Sequence, residues 1–117
     1  MDDTRPTNLD DEPNGWYLLS ALGDHPKTRI LAALLTNADM AFSLSDVALM
    51  AATDRSTVSE HLPALVAQDI VIEALKDDET PLYQINKESA AAESLARFEW
   101  DLIKADAERE HEYDAAA

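Results

Sequence analysis

Cysteine is absent from the 117-residue chain, which removes disulfide frameworks, thiolate metal sites and cysteine nucleophiles together and suits a reducing interior. Aromatic residues are scarce at 6%, yet 46% of the chain is hydrophobic, mostly Ala, Leu, Val and Ile. That is enough to bury one core in a chain of this length, so one compact domain with modest extensions is expected. No apolar run approaches the about 20 residues that span a bilayer. The opening, Met1 to Pro13, is acidic and lacks the basic flank and apolar stretch of a secretory signal. A soluble cytoplasmic protein is the expectation. Basic residues are also few, 9 Lys and Arg against 24 Asp and Glu, for a net charge of −15.

Two readings fit this acid excess. A chain that avoids nucleic acid, or that offers an acidic surface to a basic partner, would carry it. So would a protein of a cytoplasm with molar salt, where acidic residues keep surfaces soluble and the Debye length falls to about 3 Å at about 1 M. The acidic residues are spread along the whole chain, Lys is rare, and Ala replaces bulkier apolar groups; this pattern favours salt adaptation.

Residues 1–14 are polar, contain Pro6 and Pro13 and show no apolar period, so they read as a disordered arm. Trp16, Tyr17, Leu18, Leu19 and Leu22 share one side of a short helix that Gly23 ends. Asp24 is placed to cap a second helix with Pro26 in its first turn and Ile30, Leu31, Leu34 and Leu35 at helical spacing. Ser43 to Asp46 has the form of a capping box opening a third helix, with Leu44, Val47, Ala48 and Met50 as its stripe up to about Ala52. Thr53 and Asp54 offer another cap, and Val58, Leu62, Leu65 and Val66 follow at i, i+4, i+7 and i+8 from a helix starting near Arg55. Two helices joined by so tight a turn, the second bearing small polar residues outside its stripe, have the pattern of a helix-turn-helix.

Ile70 to Leu75 and Leu82 to Ile85 read as strands of a hairpin with a polar tip of Lys76 to Pro81. From Lys87 to about Glu112 the chain reads as a long helix with Ala91, Leu95, Phe98, Leu102 and Ile103 at spacings of three or four. The fold class is therefore mainly α with a small β-hairpin. No internal repeat, phosphate loop, nucleophile or paired-carboxylate motif stands out, and an enzyme is not expected.

The run Leu22-Gly23-Asp24-His25-Pro26-Lys27-Thr28-Arg29-Ile30-Leu31, the run Arg55-Ser56-Thr57-Val58-Ser59-Glu60-His61-Leu62 and Pro81-Leu82-Tyr83-Gln84-Ile85 together resemble ArsR-type winged helix-turn-helix regulators, especially those of halophilic archaea. The resemblance spans about residues 16–110 and is most specific in the Arg55–Leu62 run. It implies a transcription regulator, commonly a repressor. Its winged helix-turn-helix unit would cover residues 15–86, with a dimerisation helix over 87–112 and a flexible tail over 113–117. The thiolate chemistry of metal sensors in such a family is absent with cysteine. Asp106, Glu110 and His111 are better explained as a chance cluster in so acidic a chain, so neither metal nor cofactor is expected. Asp69 stands where these regulators usually have a helix-terminating Gly, and Asp tolerates the left-handed backbone needed there.

Ser56, Thr57 and Ser59 are short enough to let the fourth helix seat in a major groove about 12 Å wide. Arg55 is the first choice for a guanine or phosphate contact, with Glu60, His61 and the wing's Lys76 completing the expected DNA-binding set. Each has a plainer alternative: the hydroxyls as caps, Arg55 paired with Asp54 or Glu60, His61 as a packing residue. Pro63 removes one backbone hydrogen bond and threatens a kink in this helix. Trp16, Tyr17, Ala91, Leu95, Phe98, Leu102 and Ile103 form the expected dimerisation surface, which would set two recognition helices about 34 Å apart on a palindromic double-stranded operator. Cations would accompany so acidic a protein onto DNA. The competing functions are an acidic protein-interaction module and a DNA-mimicking antirepressor.

Overall fold

A computed structural model of the chain describes residues 16–75 and 80–116, and only the backbone of Trp16, Leu75 and residues 110–116. The expected arm over 1–14, Lys76 with the rest of the hairpin tip, and the side chains of Trp16, Glu110 and His111 lie outside the described residues. The element order is α1 (Trp16–Leu22), α2 (Pro26–Thr36), α3 (Leu44–Met50), α4 (Arg55–Ala67), β1 (Val71–Leu75), β2 (Pro81–Ile85) and α5 (Ala90–Ala116).

The ends of the helices follow local chemistry. Gly23 closes α1 at φ +101°, a backbone that glycine adopts freely, and its amide donates to Leu19 O at 2.9 Å. The cap of α2 is His25 rather than the expected Asp24: the His25 Nδ1 accepts the Lys27 amide at 3.0 Å. Asp24 is drawn instead into a two-pronged pair with Arg29, at 2.6 and 2.9 Å, because a guanidinium fork matches a carboxylate better than one amide does. Ser43 caps α3, and Asp54 caps α4, as their side-chain oxygens suggest.

The α3 helix stops at Met50 and turns through Ala52 at φ 55°. The amides of Ala52 and Thr53 donate back to Leu49 O at 3.2 Å and Ala48 O at 3.0 Å, the paired bonds of a Schellman ending. The same ending closes α4. There Asp69 sits at φ 63°, as the sequence leads one to expect, and Ile70 donates to Leu65 O at 3.1 Å. That bond is why β1 begins at Val71 and not at Ile70. Pro63 does not interrupt α4, which stays helical over its 13 residues.

In the hairpin Val71 pairs with Ile85, Glu73 with Tyr83 and Leu75 with Pro81, antiparallel. A third partner joins the ribbon without any periodic signature in the chain: Phe42, between α2 and α3, bridges the outer edge of β2 through two bonds with Tyr83, at 2.8 and 2.7 Å. The start of α5 also differs from the expected Lys87. Residues Asn86 to Ser89 form a turn, with the Glu88 amide on Asn86 Oδ1 at 3.1 Å, and Ser89 Oγ accepts the Ala92 amide at 3.2 Å. The helix then continues through Ala116, past the expected end at 112, because nothing after Glu112 breaks a helix and Ala favours one.

The main core joins Ile30, Leu34, Val47, Val58, Leu62, Leu65, Val71 and Ile85 from α2, α3, α4 and the hairpin. Each fully buried Leu or Ile there stabilises the fold by about 1.5–3 kcal/mol. A second cluster of Leu18, Leu19 and Ala32, with Leu95 packed against it, fixes α1 and α5 onto the back of α2. Among the described residues no helix is long and apolar enough to cross a membrane.

The left-handed backbone at Ala52 strains any residue with a Cβ by about 1 kcal/mol. Ala52→Gly should therefore stabilise the protein by about 0.5–1 kcal/mol in urea unfolding; a loss of stability would show that the turn is not held in this form.

Candidate nucleic-acid interface

The α4 helix is oriented by two sets of bonds. On its inner face Val58, Leu62 and Leu65 are buried in the core. At its start, Asp54 Oδ1 accepts the Thr57 amide at 2.8 Å and the Ser56 hydroxyl at 3.0 Å. Hydrogen bonds from Thr57 and then Ser56 hold the Asp54 carboxyl below the usual aspartate range. Just before it, Arg29 reaches from α2 to donate to Ala51 O and Ala52 O, both at 3.2 Å. The turn between α3 and α4 is thus tied to the start of α2.

These restraints leave an outward strip of α4 that carries Arg55, Ser56, Ser59 and Glu60, all exposed. Among the described residues Arg55 forms no ion pair, so its charge is not spent on Asp54 or Glu60. Ser56 is partly committed to the cap. Thr57 is half-buried at the flank, and its amide serves the cap. His61 is half-buried too, with its ring edge-on to His25 at 5.3 Å between centroids, the geometry of a packing contact. Glu60 puts a carboxylate at the far end of the strip. Of the expected set, then, Arg55, Ser56, Ser59 and Glu60 share one face, Thr57 and His61 stand on its edge, and Lys76 lies outside the described residues.

The expected dimerisation residues do not form one free stripe. The Tyr17 hydroxyl donates to Asp106 Oδ2 at 2.9 Å within the chain, and Asp106 also takes Arg109 at 3.0 Å. Leu95 packs into the second core cluster, and the buried alanine at the head of α5 is Ala92, while Ala91 is exposed. Leu102 and Ile103 are half-buried. Phe98 remains 38% exposed, and Trp100, absent from the sequence reading, is 57% exposed. A helical wheel drawn through Ala92 and Leu95 would have put Trp100 on an outer flank of α5. Glu99 lies on the half-buried side, where burial raises its carboxyl above the usual range. Among the described residues no group of three or more His, Asp or Glu could hold a metal ion.

No protein-family model matches the sequence, and no curated protein does. Among solved structures, the chain is similar to a transcriptional regulator of the MarR family from Silicibacter pomeroyi, with a TM-score of 0.58 and 23% identity. The match covers 81% of this chain and 64% of that protein, so the chain spans less than two thirds of its length. Helices α2 to α4, the hairpin and the Phe42 bridge define, with this likeness, a winged helix-turn-helix fold with a long C-terminal helix.

A carboxyl held below its ordinary range adds stability at pH values above that range, and the contribution fades as acid brings the pH down through the lowered value. Asp54 should therefore titrate below a free aspartate when followed by NMR. Thr57→Val combined with Ser56→Ala should raise its midpoint. An ordinary midpoint in the wild-type chain would mean that the cap does not form in solution.

Proposed function

We propose that the chain is a sequence-specific transcription regulator that inserts α4 into the major groove of double-stranded DNA as a homodimer. The observation that supports this most is the outward strip of α4: small hydroxyls beside an arginine that forms no ion pair among the described residues, on a helix held by its cap and by the turn that Arg29 braces. Short side chains let the helix backbone approach the bases, and Arg55 brings the donors that read guanine or hold a phosphate. Ser56, Ser59, Glu60, Thr57 and His61 complete the proposed contact set, with Lys76 supplied by the wing. A solved MarR-family regulator of similar fold supports the class. The resemblance of the Leu22–Leu31 and Arg55–Leu62 runs supports the ArsR type, and with it repression as the sign of control.

Residues 15–86 would act as the DNA-binding unit and α5, with α1, as the pairing surface. Phe98 and the half-buried Leu102 and Ile103 supply its apolar area. Leu95 belongs to the protomer's own packing, so the discriminating variant is Phe98→Asp. It should shift the protein from dimer to monomer in light-scattering sizing, with its helical signal retained; a dimer that persists would remove α5 from the interface.

Selection from random duplex DNA tests the main reading. An enriched palindrome is expected, and Arg55→Ala should weaken binding to it about 10-fold or more, in line with about 1–3 kcal/mol for a lost guanine contact. If no sequence is enriched, the acidic interaction module takes precedence; the net charge of −15 and Glu60 within the strip favour that second reading.

Acidic side chains near phosphates take up cations on binding, which opposes the usual release of counterions. In a chain adapted to molar salt, DNA affinity should hold steady or rise as KCl increases. A steep fall would count against the salt adaptation.

A further inference from the structure

The wing and the recognition helix do not close on each other. Between them lies a groove of about 310 Å³. Its apolar wall is Leu62, Pro63 and Val66 of α4, and its polar groups are Ser59 of α4 with Glu73 and Tyr83 of the hairpin. Glu73 and Tyr83 are direct cross-strand partners, so their side chains stand on the same face of the ribbon. Among the described residues no hydrogen bond reaches the Ser59 hydroxyl, the Tyr83 hydroxyl or the Glu73 carboxylate, and no Lys or Arg lines the groove. Burial and then the Glu73 charge push the Tyr83 phenol above its usual range, in keeping with a partly shielded phenol beside an exposed carboxylate.

We propose that this groove binds a small organic cation, an amine carried on an apolar body. The ammonium would sit between the Glu73 carboxylate and the Tyr83 ring and hydroxyl, where ion pairing and the electron-rich ring face act together. The apolar body would cover Leu62, Pro63 and Val66. A neutral molecule would leave Glu73 unpaired, and an anion would meet it directly. Because Ser59 belongs both to this groove and to the proposed DNA-facing strip, an occupant would compete with DNA there; this last step rests on the function proposed above, whereas the binding itself does not.

The test uses two probes with the same body and opposite charge, 4-phenylbutylamine and 4-phenylbutanoate, added to the full chain in KCl at which it is folded. Amide and methyl NMR shifts should move at Leu62, Val66 and Tyr83 with the amine and stay unmoved with the acid. Glu73→Gln should weaken the amine at least 10-fold, and Tyr83→Phe should weaken it less while leaving the spectrum folded. Equal binding of the two probes, shifts at other residues, no binding of the amine, or Glu73→Gln binding as well as the wild type would each overturn the site. Displacement of DNA by the amine is read separately: amine binding without displacement keeps the site and removes only its coupling to DNA.

Discussion

The Arg29 guanidinium carries a mechanical duty that the apolar core cannot. Its fork grips both oxygens of Asp24 at the head of α2, and its remaining nitrogen grips the carbonyls of Ala51 and Ala52, just past the end of α3. Those carbonyls lie at the negative end of a helix, one of them on the left-handed residue Ala52 itself, so a cation there offsets the charge of the helix end. Burial of Val58, Leu62 and Leu65 sets how deep α4 lies, but apolar contacts are non-directional. The angle at which α4 leaves the turn depends on groups with fixed geometry, and Arg29 with Asp54 supplies them. A lysine in place of Arg29 would bring charge without the planar fork.

Much of this was legible in the sequence because helix boundaries here are written in short-range chemistry. Gly23, Ser43, Asp54 and Asp69 each act on backbone groups within a few residues, and a linear reading finds them. His25 was missed as a cap because Asp24 is the stronger capping residue in isolation; only the fold brings Arg29 near enough to claim it. Phe42 was missed because one bridging residue leaves no period to detect. The stripe on α5 was read from spacing alone, and spacing does not say which side of a long helix its own chain covers. In consequence packing residues and outward ones were grouped together: Leu95 turned inward to the cluster of Leu18, Leu19 and Ala32, and Trp100 on the flank escaped notice.

The candidate interface itself was readable only in part. The small residues of α4 are visible in any reading of the chain, but their division into an exposed strip and two committed flanking residues depends on the cap and on His25. An acidic chain has little long-range attraction for a polyanion, so the DNA recognition proposed above would have to come from close fit, from short side chains that let the backbone approach and from a well-placed guanidinium. That economy makes Glu60 informative, since a carboxylate on such a strip repels phosphate and accepts only from amino groups such as that of cytosine.

The Phe42 bridge changes how the wing behaves as an object. A two-stranded ribbon fastened only at its base is a springboard, and alone it is marginal. Here a second fastening sits at Tyr83, halfway along β2, and the Gln84 amide adds a third by donating to Ala38 O at 3.0 Å. The free length of the lever is thereby shortened to the residues beyond Tyr83. A push on the hairpin is not absorbed by bending at its root; it is delivered through residues 38–42 into the linker between α2 and α3, and so to the start of α3, the helix whose far end Arg29 braces.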